Sequence, residues 1–87
     1  MAYLDMFSLK GKTAIITGAE RGIGLEIAIG FAKTGANIVI AGLMESEFEN
    51  ASACVKEQGV ECVCIRTDVS CEEDVKNLVK KTLEINI

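Results

Sequence analysis

The sequence predicts an α/β fold, three layers deep, on a parallel sheet with strand order 3-2-1. Three observations carry this. Short β-branched apolar runs alternate with longer stretches of helical period, in the order β-α-β-α-β-α. Glycines stand where the first strand and the first two helices should stop. No proline, internal repeat or low-complexity linker interrupts the alternation. Strands joined by helices pair in parallel through right-handed crossovers, which makes half of a doubly wound sheet.

The elements follow in order. Residues 13 to 17, TAIIT, form a short apolar run ended by Gly18 and read as a buried strand. A helix opens near Gly22 and runs to about Thr34, with Gly35 as its stop. Residues 37 to 41, NIVIA, are the second strand. A helix over 45 to 58 carries Phe48, Ala51 and Val55 on one face and ends at Gly59. Residues 61 to 66, ECVCIR, make the third strand. Ser70 and Glu73 spell a capping box for a last helix. Its Val75, Leu78, Val79 and Thr82 keep the 3.6 period, with Lys80 and Lys81 near its C-terminal dipole.

With 87 residues the chain is one small domain, and a domain of that size buries only about 60–65% of its unfolded surface. The 49% hydrophobic content is high for so few residues, which implies that some of it is covered by further protein. A net charge of −4 supplies no basic stripe for nucleic acid. No basic-then-apolar leader and no membrane-length apolar run is visible, so a cytoplasmic protein is expected. The sequon Asn50-Ala51-Ser52 is then without consequence. The cysteines at 54, 62, 64 and 71 lack the Cys-x2-4-Cys spacing of zinc sites and read as small apolar residues, so no metal is expected.

Two phosphate-loop spellings compete within GKTAIITGAERGIG, residues 11 to 24. A Walker A loop needs a glycine five residues before Gly11, where Met6 stands, and it must follow a strand rather than precede one. The second spelling is correctly placed. Gly18 turns the chain out of the first strand, Gly22 lets the backbone approach a pyrophosphate, and Gly24 lets the helix pack close to the sheet, aided by Ala28 and Ala32 on the same face. Helix-start amides around Gly22, Ile23 and Gly24 then face the phosphates.

Taken together, TGAERGIG with its Gly-x3-Gly-x-Gly spacing, FSLKGKTAIITGAERGIGLEIAIGFAKTGANIVIAG, and CIRTDVSCEEDVKNLV resemble the short-chain dehydrogenase/reductase family over roughly residues 7 to 84. The resemblance is close to reductases of sugars, polyols and 3-oxoacyl thioesters. It implies that residues 1–87 are a partial NAD(P)-binding, Rossmann-type domain. It also implies that Asp68 receives the adenine amino group with Val69 beside the ring, where the residue alone reads as a loop carboxylate near a helix cap. Arg21 matches a basic residue that meets the 2′-phosphate in NADPH-using members, and otherwise reads as a solvated helix-end arginine. Gly42 and Leu43 stand where an NAD enzyme carries an acid and an NADPH enzyme a second base. Glu20 replaces a small or hydroxyl residue and would repel a 2′-phosphate. Arg21 and the missing acid at 42 favour NADP; Glu20 favours NAD. The balance expected is NADP, with NAD as the alternative.

The family's chemistry uses a serine, a tyrosine and a lysine four residues after it, the lysine lowering the tyrosine pKa for proton exchange. The only tyrosine, Tyr3, is followed four residues later by Phe7. Ser8, Ser46, Ser52 and Ser70 have no base beside them, and there is no histidine. No catalytic residue is therefore expected, and the chain reads as truncated before a fourth strand. The first strand becomes an apolar edge, and the first helix is apolar nearly all round. A homo-oligomer or a separate C-terminal half is the expected partner, besides a dinucleotide. The main reading is the nucleotide-binding portion of an oxidoreductase. The alternatives are a non-catalytic dinucleotide-binding or assembly module working through edge-strand pairing, and, less well matched, a methyltransferase-type nucleoside binder.

Overall fold

Alternation within one central strand organises the molecule. The computed structural model describes residues 11–85. Its strands are β1 (Thr13–Thr17), β2 (Asn37–Gly42) and β3 (Cys62–Arg66), all parallel in the order β1-β2-β3, as the sequence predicts. Ile15 pairs with Val39, and Val39 with Val63. Side chains of a strand alternate between faces, so β2 serves two cores. Ile38 and Ile40 join Ala28, Ala32, Ala51 and Val55 on one face, whereas Val39 and Ala41 join Ile65 and Leu78 on the other. Helices α1 (Gly22–Lys33) and α2 (Phe48–Lys56) cover the first face, and α3 (Glu72–Glu84) the second. That is the three-layer arrangement.

Three local expectations are revised. The first strand is not buried: Thr13, Ile15 and Thr17 are exposed. Only its Ala14 and Ile16 pack on the core under α1 and α2. Among the described residues it is the sheet's edge, with a neighbour on one side alone. The helix expected over 45 to 58 begins instead as a 3-10 turn, Glu45–Glu47, and becomes α-helical at Phe48. No side chain caps either start, and the tighter turn gives the Glu47 amide an acceptor in the Met44 carbonyl at 2.9 Å.

The Ser70/Glu73 capping box does not form. Cys71 is the N-cap of α3 and makes no side-chain cap bond. Asp68 has taken Ser70 instead: its Oδ1 accepts from the Ser70 amide at 2.9 Å and from Ser70 Oγ at 2.6 Å. A carboxylate that gathers both donors outcompetes the cap. Asp74, not Glu73, reaches back, accepting from the Asp68 amide at 2.9 Å. In α3, Thr82 also serves as a donor, to the Leu78 carbonyl at 2.7 Å.

Candidate functional site

The carboxyl ends of parallel strands are where an open α/β sheet leaves a crevice. Here the three strand ends and the start of α1 enclose a cavity of about 610 Å³. The turn from β1 into α1 is its floor. The Gly18 amide donates to the Ala41 carbonyl at 2.8 Å, carrying the ladder one residue past β1. Gly18 (φ 69°) and Gly22 (φ 61°) then both take left-handed backbone that side chains disfavour. Between them Ala19 is fully buried in the core and anchors the loop. Arg21, the extended N-cap of α1, is exposed.

Gly24 has a role different from the one expected. A Cβ on it would overlap the Gly18 carbonyl and crowd Ala19, so the close approach is of helix to loop. Sheet packing falls to Ala28 and Ala32, both buried. The first-turn amides of α1 have no acceptor within the helix, and with the positive dipole end they suit an anion.

The second and third strand ends form the walls. At the end of β2, Gly42 accepts from the Thr67 amide at 2.8 Å; beyond it Leu43 is exposed, and the Met44 amide donates to Glu20 Oε2 at 3.0 Å. Past β3, Thr67 is buried with its hydroxyl on the Ile65 carbonyl at 3.1 Å. Asp68 then lies half-buried and Val69 exposed. Hydrogen bonds from Ser70, first through its hydroxyl and then its amide, hold the Asp68 carboxyl below its ordinary value, assisted by Arg66.

All ten residues singled out from the sequence line this cavity: Gly18, Glu20, Arg21, Gly22, Ile23, Gly24, Gly42, Leu43, Asp68 and Val69. Sequence reasoning missed Thr17, Ala41, Met44 and Thr67, which also line it. Three of these flank strand ends, a position the strand assignments already marked; Met44 carried no such mark. Gly11 and Lys12 sit at the opposite end, where the Lys12 carbonyl accepts from the Asn37 amide at 2.9 Å, so the Walker-like spelling faces away from the cavity. Tyr3 and Ser8 lie outside the described residues.

The cysteines divide differently. Cys62 and Cys64, two apart on β3, lie against the core under α2. Interaction between the two thiols is the largest cause that draws Cys62 down to about 7 and pushes Cys64 up, with burial adding to that rise, while the Cys64 thiol donates to the Phe48 carbonyl at 3.7 Å. Among the described residues, no group of three His, Cys, Asp or Glu side chains is placed to hold a metal.

An anion-binding helix start, a backbone approach kept open by glycine and a carboxylate by the third strand fit a phosphorylated nucleotide. Residues 12–85 match the family model for short chain dehydrogenase. An uncharacterized oxidoreductase of Thermotoga maritima is 42% identical over 77 residues, 88% of this chain and 30% of that protein. L-sorbose reductase from Gluconobacter frateurii, solved with NADPH and L-sorbose, superimposes with a TM-score of 0.81 at 42% identity, covering 87% of this chain and 29% of that one. NAD⁺-bound xylitol dehydrogenase gives 0.83 at 35% identity, covering 86% and 29%. The chain thus spans about a third of the length of the proteins it matches. With a family match across most of its length and a fold shared with solved members, the chain belongs to the short-chain dehydrogenase family.

Proposed function

We propose that residues 1–87 form the NAD(P)-binding part of a short-chain oxidoreductase, holding a nicotinamide dinucleotide across the carboxyl ends of β1, β2 and β3. The observation that carries this is the convergence of all ten sequence-derived residues on one cavity. The amides of Gly22, Ile23 and Gly24 hold the pyrophosphate, and Val69 lies against the adenine. Asp68 receives the adenine amino group. Its Oδ1 is engaged by Ser70, which among the described residues leaves Oδ2 to accept. A bound nicotinamide cofactor supplies hydride chemistry; these residues position it. The relatives solved with NADPH and with NAD⁺ support a nicotinamide cofactor of either kind.

The chain by itself performs no hydride transfer, because it offers no Tyr-x3-Lys pair and no serine with a base beside it. Activity, substrate and partners belong to the longer enzyme, a cytoplasmic oligomer. No helix of the described residues is long and apolar enough to cross a membrane. Titration of the purified chain with NADH and NADPH, followed by nicotinamide fluorescence, tests the reading. Saturable binding of at least one, without turnover of a sugar or polyol substrate, is the expected result. Binding of neither would overturn it.

One observation favours a second role. The edge position of β1, with Ile15 exposed, suits pairing with another chain or a C-terminal half. A concentration-dependent dimer that a charged residue at Ile15 dissolves would support that role.

A further inference from the structure

We propose that Glu20 selects the cofactor: its carboxylate stands at the end of β2, accepts the adenosine 2′-hydroxyl of NAD(H) and excludes the 2′-phosphate of NADP(H). This rests on the dinucleotide reading above and adds to it a residue that decides between the two nucleotides. Glu20 is only 5% exposed although it belongs to a loop, so its carboxylate is held in place. The holding is visible. Oε2 accepts from the Met44 amide at 3.0 Å, a partner 24 residues along the chain and two past the end of β2.

Gly42 makes the room. A Cβ built there would overlap the Glu20 carboxyl group. Gly42 is not among the glycines with positive φ, so the backbone does not require glycine at that position. The missing side chain is explained by what fills its space. The carboxylate of Glu20 has come across from the glycine loop to the strand end where an acid on β2 itself would lie.

In an open dinucleotide fold, an acid at that point holds the adenosine ribose through its 2′-hydroxyl. Such a bond is charge-assisted and about twice as strong as a neutral one. Among the described residues Oε2 has the Met44 amide, which leaves Oε1 to accept from the hydroxyl. A 2′-phosphate would instead bring two like charges together in a partly closed cavity. Arg21, the basic residue of the same loop, is exposed and lines the same cavity, so removing the carboxylate leaves its positive charge dominant there. The expectation of NADP rested on Arg21 and on the absence of an acid at 42, and Glu20 brings a carboxylate to that second place.

The test is titration of the full chain and three variants with NADH and with NADPH, read by nicotinamide fluorescence. The wild type is expected to bind NADH roughly tenfold more tightly than NADPH. Glu20→Gln keeps the Met44 bond and the shape but removes the charge, so it should weaken NADH, strengthen NADPH and bring the ratio to one or below. Gly42→Ala should displace the Glu20 carboxylate and shift the ratio the same way. The double variant Glu20→Ser/Gly42→Asp returns the acid to the strand and should restore the preference for NADH. If the wild type binds NADPH as tightly as NADH, or if Glu20→Gln leaves the ratio unchanged, the selection is overturned while the dinucleotide reading stands. Binding of neither nucleotide by the wild type overturns that reading and the selection with it.

Discussion

The two faces of the sheet are finished to different degrees. Under α1 and α2, seven buried residues close around Ile38 and Ile40, both fully inaccessible. Under α3 only Val39, Ala41, Ile65 and Leu78 are buried. On that side Ile15 remains 42% exposed, and the α3 residues Val75 and Val79 stand 37% and 49% exposed. The first face is completed by crossovers close in sequence: each β-α-β step lays its helix over the strands it joins. The second has a single helix for three strands, and the described residues do not cover it. The cavity belongs to neither face but to the strand ends, and its floor loop is anchored in the finished one through Ala19.

The largest effects should follow that difference. Ile40→Ala opens a void in the finished face, where neighbours cannot collapse into it, at a cost of about 3–5 kcal/mol. For a domain this small such a loss removes cooperative unfolding. Leu78→Ala also truncates a buried side chain, but beside half-exposed neighbours that can shift, so about 2 kcal/mol is expected. Thermal melts followed by far-UV circular dichroism measure both. Equal losses would mean that the α3 side is packed as rigidly as the other.

A smaller, sharper contrast lies within α1, whose two glycines face different surroundings. A Cβ at Gly24 would overlap the Gly18 carbonyl, whereas one at Gly30 would meet nothing within 4 Å. Gly24→Ala should therefore push helix and loop apart, costing about 1–3 kcal/mol and weakening dinucleotide binding. Gly30→Ala lies mid-helix in open space and should stabilise by about 0.5–1 kcal/mol with binding unchanged. Paired melts and NADH titrations check this. Stabilisation by both substitutions would remove Gly24 from the geometry of the loop.

What the sequence shows is what local chemistry decides. The runs at 37 to 41 and 61 to 66 and the glycines at 18 and 22 each state a backbone preference, and strands and turn lie within a residue of where that preference put them. TAIIT taken alone reads as a buried run, because an edge strand and a central one are spelled alike; the exposure of Ile15 follows from the strand order, which leaves β1 at the edge. Nor did Ser70-x-x-Glu73 reveal that Asp68 would take Ser70 first, since two local motifs shared one hydroxyl. Glu20 was the hardest case. Its type looked foreign to a glycine loop, but its destination, beside Gly42 and Met44, is fixed by β1 and β2 pairing and not by its neighbours in sequence.

The smallest expected effect sits where the less complete face begins. The start of α3 is held by Asp68, which gathers two donors from Ser70 while its own amide is taken by Asp74. Those donors favour the charged carboxylate, so its folded value lies below the ordinary 3.8. A carboxyl group depressed in this way adds its stabilisation above its unfolded value and loses it as pH falls through the folded one. The turn should therefore persist through neutral and mildly acid pH and loosen only below about pH 4. Carbon-13 NMR titration of the Asp68 carboxyl checks this, with Ser70→Ala as the second sample. The wild-type midpoint should fall below 3.8 and the variant's should move back towards it. Identical midpoints would mean that Ser70 does not hold the carboxylate, and that Asp74 alone ties down the α3 side of the cavity.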